Sequence, residues 1–415
     1  QLNNLIEQFK NGRYEDAEKL AVSITQEFPQ HQFAWKVLGA VLGQTGRKSE
    51  AVNAKQTAVA LSPQDAEAHS NLGNTLKELG RLEQAEASYT QAIELKPDLA
   101  EAHSNLGATL KELGRLEEAV VSCSQAIALK PDYAEAHYNL GIMLKELDRL
   151  EEAEASYTQA IALKPGYAEA HSNLGVTLKE LGRFEEAEAS YTQAIALKPD
   201  YAEAHSNLGN TLRELGRLEE AGASLRQAIA LKPDYAEAHS NLGVALKELG
   251  RLEEAVASYT QAIALKPDYT EAHSNLGNTL QELGRLEEAG ASLRQAIALK
   301  PDFAEAHSNL GVTLQELGRL EEAEASCTQA ITLKPDFAEA HSNLGITLKE
   351  QGRLGEAEAS LTRAIALKPE FAKAYDHLGN LLQILGEFED AEVCYKKYIS
   401  LAPFEAPITK SMAST

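Results

Sequence analysis

Apolar and polar positions follow two superposed rhythms along this chain, one of three to four residues and one of 34. Ala68, Leu72, Leu76 and Leu79 recur at the spacing that places them on one stripe of a helix, with mostly polar residues on the other faces. A second stripe runs through Ala85, Tyr89, Ala92, Ile93 and Leu95. Gly80 lies between them and suits the left-handed turn that ends a helix, while Pro97 bars continuation of the second. The pattern predicts two helices, A and B, joined by a tight turn. Asp98, Asp132 and Asp200 stand three residues before Glu101, Glu135 and Glu203, which predicts a capping box at the start of helix A. The hairpin beginning at Ala66 has Gln64 at that place, with Asp65 beside it.

The longer rhythm copies this hairpin. Prolines at 29, 63, 97, 131, 165, 199, 233, 267, 301, 335, 369 and 403 are all 34 residues apart. With Ala66 as position 1, copies begin at 100, 134, 168, 202, 236, 270, 304, 338 and 372, and a divergent copy begins at Gln32. Gly73, Ala85 and Ala92 let two helices approach closely while Leu72, Leu76 and Tyr89 fill the gaps. One hairpin cannot close a core, whereas stacked hairpins can, so the expected fold is an all-α, right-handed superhelical solenoid of 34-residue helix-turn-helix repeats. Residues 32–405 read as eleven full repeats in one solenoid, 1–31 as a degenerate half or capping repeat, and 406–415 as a linker or the start of a further repeat. The start at Gln1 and the lack of a polar capping helix over 404–415 lead to the expectation of a longer parent polypeptide.

The balance of 39 basic against 62 acidic residues, a net charge of −23, argues against nucleic acid or an anionic membrane as partner. No segment has the roughly 18 consecutive apolar residues of a membrane span. Three cysteines cannot form a disulfide framework and fit a reducing compartment, so the cytoplasm is the expected location.

Trp35, Leu38, Gly39, Leu42, Ala51, Ala58 and Pro63 resemble the tetratricopeptide-repeat pattern, with Leu42 for its tyrosine and Lys55 for its phenylalanine. Later repeats mostly put histidine at the tryptophan position. The resemblance covers essentially the whole chain and implies a protein-protein interaction module whose A helices line a concave surface.

Positions 2, 6, 9 and 13 of helix A share one face, reading Glu67, Asn71, Asn74 and Glu78 in one copy and Glu101, Asn105, Ala108 and Glu112 in the next. Asparagine fills position 6 nine times, as Asn71, Asn105, Asn139, Asn173, Asn207, Asn241, Asn275, Asn309 and Asn343, and serine precedes it in all but one copy, where Tyr138 stands. Mid-helix Ser-Asn is unfavourable by roughly 0.5 kcal/mol per residue against alanine. A carboxamide offers the donor and the acceptor that a polypeptide backbone requires. Helices packed about 8–10 Å apart would present one amide to every third residue of an extended chain rising about 3.3 Å per residue. The stripe resembles the asparagine ladder in the repeat region of protein O-linked N-acetylglucosamine transferases, which implies that these nine residues hold extended polypeptide. The alternative is hydrogen bonding between neighbouring repeats. The ladder stops at Asn343, because His377 occupies the position in the last copy.

The histidines at 69, 103, 137, 171, 205, 239, 273, 307 and 341 are one per A helix, too far apart to share a zinc ion, and are expected to pack at the tryptophan position. No metal and no cofactor is expected. Gly43 to Ser49 departs from a phosphate loop by interposing Arg47 before Lys48, and no nucleophile elbow or dinucleotide motif is present. The chain therefore reads as non-catalytic. Three functions remain: a substrate-recruiting region of a larger glycosyltransferase or sulfotransferase, as the resemblance implies; an assembly scaffold, possible through self-association; and a receptor for acidic chaperone tails, disfavoured by serine at position 5 and glutamate at position 2. Asp148 in place of the turn glycine and Gly166 in place of the aspartate predict a softer joint in the repeat starting at Ala134.

Overall fold

The computed structural model describes residues 1–401. Among them the chain forms 24 α-helices in twelve consecutive pairs, from Leu2–Lys10 with Tyr14–Glu27 to Ala372–Leu385 with Phe388–Leu401. The expected linker at 406–415 lies outside the described residues. Two compact units divide the chain, residues 1–211 and those from Leu212 on. Within each unit the A helices pack on their own B helices, and those B helices on the next A helix, the arrangement of an all-α solenoid.

The Ala66 repeat shows how residues set the hairpin. Helix A spans Ala66–Glu78 and helix B Leu82–Leu95. Gly80 adopts φ 71°, and the turn closes with the Gly80 N–H on the Lys77 carbonyl and the Arg81 N–H on the Leu76 carbonyl, both at 2.9 Å. Asp148 reproduces this turn at φ 58°, with its N–H on Lys145 at 3.0 Å and that of Arg149 on Leu144 at 2.9 Å. The turn geometry of the Ala134 repeat is thus unaltered, and the substitution leaves a side chain in the left-handed region.

The capping-box expectation is corrected. The N-caps are Leu99, Tyr133, Tyr167 and Tyr235, and none closes a side-chain cap bond. Each Pro-Asp turn places its aspartate one residue too early, and the cap is a backbone one: the Ala102 N–H donates to the Leu99 carbonyl at 2.9 Å. The exceptional Asp65, shifted by one place, does cap, accepting from the Ala68 N–H at 3.0 Å.

The two helices meet across glycine. A Cβ added to Gly73 would lie 2.7 Å from the Tyr89 ring, and one on Gly107 would lie 2.5 Å from the Cys123 sulfur. Tyr89 and Cys123 are fully buried there. The histidines pack as expected: Nε2 of His69 lies 3.0 Å from the Pro63 carbonyl, and the bond repeats through His341 and Pro335 at 3.1 Å. A carbonyl only accepts, so Nε2 carries the proton. Trp35 makes the same bond to Pro29 at 2.8 Å, which explains why histidine replaces tryptophan here.

Candidate functional site

All nine ladder asparagines lie within A helices. Asn71 is exposed and the other eight are half-buried. Four donate Nδ2 to the repeat before: Asn105 to Asn74 Oδ1 at 3.0 Å, Asn139 to Ser104 Oγ at 3.4 Å, Asn173 to the Tyr138 hydroxyl at 3.0 Å, and Asn343 to Ser308 Oγ at 3.0 Å. Both readings of the stripe therefore have a physical basis, because in these four the amide also joins neighbouring repeats. Each such bond uses one N–H and leaves the second N–H and the carbonyl oxygen. The side chains of Asn71, Asn207, Asn241, Asn275 and Asn309 have no hydrogen-bond partner among the described residues, which makes them the uncommitted members.

Most charged members of the same face are engaged. Position-2 glutamates pair with the lysine that ends helix B of their own repeat, as in Glu135 with Lys164 at 3.3 Å and Glu339 with Lys368 at 2.8 Å. Position-13 glutamates pair with position 12 of the repeat before, as in Lys145 with Glu180 at 3.0 Å and Lys247 with Glu282 at 2.7 Å. Exposed pairs of this kind stabilise little, but they neutralise charge on either side of the amides. Lys77 and Lys111 are held the same way, on Glu112 and Glu146, each at 3.5 Å.

Between successive A helices this face dips. A depression of about 430 Å³ is lined by Asn74, Lys77, Glu78, Tyr89, Asn105 and Glu112. Its counterpart in the second unit, about 410 Å³, is lined by Lys247, Asn278, Gln281, Glu282, Asn309 and Glu316. Position 9 governs what lies beneath. Asn74 accepts from the Tyr89 hydroxyl at 2.7 Å, and Asn380 from Tyr395 at 3.0 Å. Where the two residue types do not coincide, the Tyr191 hydroxyl below Val176 and Asn278 Oδ1 above Leu293 are buried without partners among the described residues. Among the described residues no three His, Cys, Asp or Glu side chains gather at a spacing that would hold a metal ion.

Reading the stripe from its commonest residues missed two lysines. In the divergent Gln32 repeat, Lys36 stands at position 5 and Lys55 at the helix B position of Tyr89. Departure from the family phenylalanine was the available signal at Lys55.

A family model described as TPR repeat matches eight overlapping stretches between residues 39 and 318, and models described as tetratricopeptide repeat match 302–370 and 372–405. The chain belongs to the tetratricopeptide-repeat family. Among solved structures, a chain of the APC/C hetero-tetramer Cut9-Hcn1 is 14% identical, over 97% of this chain and 93% of its own, with a TM-score of 0.52, a likeness of fold. YrrB, titled a TPR protein with an unusual peptide-binding site, is 26% identical over 44% of this chain and 95% of its own, with a TM-score of 0.39. MamA is 26% identical over 40% of this chain and 96% of its own, with a TM-score of 0.37. No curated protein matches the chain. The tetratricopeptide repeats fill the matched sequence from residue 39 to 405, and among the described residues no helix is long and apolar enough to cross a membrane.

Proposed function

We propose that this protein binds extended polypeptide along the polar face of its A helices, with the carboxamides of the nine ladder asparagines reading the backbone of the ligand. The observation that carries this reading is the pair of depressions at Asn105 and Asn309, where amides with unused donors and acceptors lie between charges already paired off. Backbone recognition through amides tolerates many sequences. The likeness of the ladder to that of O-linked N-acetylglucosamine transferases extends the reading to recruitment of substrate polypeptide for a transferase joined to these repeats, in the cytoplasm.

Asn241, Asn275 and Asn309 are uncommitted and lie in one compact unit, so replacing all three by alanine removes ladder contacts without breaking bonds between repeats. Fluorescence polarisation with binders selected from a random peptide library should show at least tenfold weaker binding for that variant at unchanged helix content, since each amide-backbone bond contributes about 0.5–1.5 kcal/mol. Unchanged affinity would refute the reading.

Exposed apolar side chains on the last hairpin, Ile384, Phe388, Val393 and Ile399, favour a second reading as a self-associating scaffold. Ile384 stands where the preceding repeats carry a solvent-facing glutamate such as Glu350. Light scattering that shows one mass at all concentrations would remove it.

A further inference from the structure

The arginine that follows the turn, at position 16, is commonly held between two glutamates. Arg183 grips Glu186 of its own helix B through Nε and Nη2, both at 2.6 Å, and donates Nη1 to Glu154 of the repeat before at 2.7 Å. Arg353 does the same with Glu356 and, at 2.7 Å, with Glu324. The glutamate from the repeat before stands at position 21 of that repeat. Where position 21 is Val120, Gly222 or Val256, Nη1 of the next arginine turns toward position 18 instead. Arg149 then lies 3.9 Å from Glu117, Arg251 3.8 Å from Glu219 and Arg285 3.4 Å from Glu253. Arg319 follows Gly290 and has neither partner. Its one ion pair among the described residues is with Glu322, which accepts Nε at 2.7 Å and Nη2 at 2.6 Å, so Nη1 is left open.

The two repeats with glycine at position 21 carry a second change. Position 25 is Arg226 in one and Arg294 in the other, where the repeat from Ala304 has Thr328. Each of these guanidiniums folds back over its glycine. A methyl carbon added to Gly290 would lie 3.4 Å from Arg294 Nη1, and one added to Gly222 would lie 3.6 Å from both terminal nitrogens of Arg226. A cation therefore covers the place from which Glu324 reaches its arginine. Arg226 and Arg294 are exposed, and neither makes a hydrogen bond or ion pair among the described residues. The bond from Arg319 holds the Glu322 carboxyl below the usual carboxylate range, and the charge of Arg294 adds to it, which puts both guanidiniums about one carboxylate. Arg251 and Arg226 act on Glu254 in the same way. Arg183 sits between two carboxylates, whereas here two guanidiniums share one, a local positive excess in a chain of net charge −23.

Two planar forks with open N–H groups match an oxyanion that brings two charges and three free oxygens, which a phosphate monoester does and a carboxylate does not. The net charge of the chain repels nucleic acid and anionic membranes at long range, and a single phosphate carried on a polypeptide escapes most of that repulsion. We propose that Arg294 and Arg319 form a binding site for a phosphorylated side chain of a partner polypeptide, on the B helices of the hairpins that begin at Thr270 and Ala304. The site is separate from the asparagines of the A helices and does not depend on them. Arg226 and Arg251 form a weaker copy, because Arg251 keeps Glu219 at 3.8 Å.

Two measurements on the full chain test it. In the first, arginine side chains are labelled with nitrogen-15 and the Nε signals of Arg294 and Arg319 are identified with Arg294→Lys and Arg319→Lys; sodium phosphate is then titrated against sodium chloride at equal ionic strength. Both signals should shift saturably with phosphate and not with chloride, and an absent phosphate-specific shift would overturn the site. The second compares, by fluorescence polarisation, nine-residue peptides with phosphoserine, aspartate or serine at the centre of the same mixture of neutral residues. The phosphoserine peptides should bind about tenfold or more tighter than the serine ones, the share of a charge-assisted bond, with aspartate in between. Gly290→Glu with Arg294→Thr gives this hairpin the residues that Glu324 and Thr328 supply in the next, so the fold is kept while Arg319 regains a carboxylate. That variant and Arg319→Gln should each abolish most of the preference, and Gly222→Glu with Arg226→Thr should remove less. The triple alanine variant of Asn241, Asn275 and Asn309 should keep the preference. Equal binding of phosphoserine and serine peptides, or a preference that survives Gly290→Glu with Arg294→Thr, overturns the site. Aspartate peptides that match the phosphoserine ones, or a phosphate response with no preference among peptides, overturn the assignment to a phosphorylated side chain.

Discussion

One substitution made in two repeats should have opposite effects. Tyr89 and Tyr191 are both fully buried on helix B, beneath Gly73 and Gly175, where an added Cβ would lie 2.7 and 2.8 Å from the respective rings, so their packing is equivalent. Their hydroxyls differ. That of Tyr89 donates to Asn74 Oδ1 at 2.7 Å, whereas that of Tyr191 is buried with no partner among the described residues because Val176 stands at the matching position. Tyr89→Phe loses a bond of about 1 kcal/mol net, and Asn74 keeps the donation from Asn105 at 3.0 Å, so no larger penalty follows. Tyr191→Phe deletes an unsatisfied group whose burial costs about 1–3 kcal/mol, and should stabilise by about 1 kcal/mol once the lost contacts of the oxygen are subtracted. The two variants should therefore differ by about 2 kcal/mol. A long repeat array does not unfold as one two-state unit, so amide hydrogen exchange in helices Leu82–Leu95 and Phe184–Leu197 is the assay. Faster exchange at 82–95 in Tyr89→Phe and slower exchange at 184–197 in Tyr191→Phe is the expected result. Equal destabilisation of both helices would refute the assignment of hydroxyl partners.

The remaining predictions concern the turns, the close helix contacts and the thiols. Asp148→Gly relieves a left-handed backbone at φ 58° and should slow exchange across residues 134–167 by about 1 kcal/mol of opening free energy; faster exchange would contradict the strain. Gly73→Ala puts a methyl carbon 2.7 Å from the Tyr89 ring and should destabilise that hairpin by about 1–3 kcal/mol, read by the same exchange measurement. Burial pushes the Cys123 and Cys327 thiols up to about 12, so the unfolded chain, ionising near 8.5, loses its protons first. Their contribution is complete below about pH 8.5 and is lost as pH rises toward 12, so urea midpoints should fall over that window more steeply than in the Cys123→Ala, Cys327→Ala double variant. Equal slopes would contradict the assignment.

The hairpin was legible because its determinants are local. Gly80 sets the turn, Pro97 ends helix B, and Gly73 makes room for Tyr89, each within one 34-residue period. Histidine at the tryptophan position was read as packing, and its bond to the proline six residues earlier lies within a single repeat. The capping box was misread because aspartate and glutamate at the right spacing do not fix the cap; the Pro-Asp turn moves the first helical residue one place onward, and Asp65 caps where Asp98 does not. The state of the asparagines was not legible at all. Asn105 and Asn241 share the same local sequence up to position 8, and the repeat before each carries asparagine at position 9, Asn74 and Asn210. Yet Asn105 donates to Asn74, while the side chain of Asn241 has no partner among the described residues. The repeats before differ on helix B, where Tyr89 donates to Asn74 and Leu225 has no hydroxyl to offer. Lys55 was visible as a departure from the pattern, but its bonds to the Asn71 carbonyl and the Thr75 hydroxyl depend on contact with the next hairpin.

Recognition of backbone rather than side chains is the central claim, and N-methylation of a bound peptide tests it most directly. A library-selected peptide is compared by calorimetry with a scrambled version of the same composition and with one N-methylated at every third residue, the interval matching helices about 10 Å apart. The scrambled peptide should bind within a few-fold of the original, while N-methylation in the matching register should weaken binding by at least tenfold. Strong discrimination against the scrambled peptide, with full tolerance of N-methylation in all three registers, would contradict the claim.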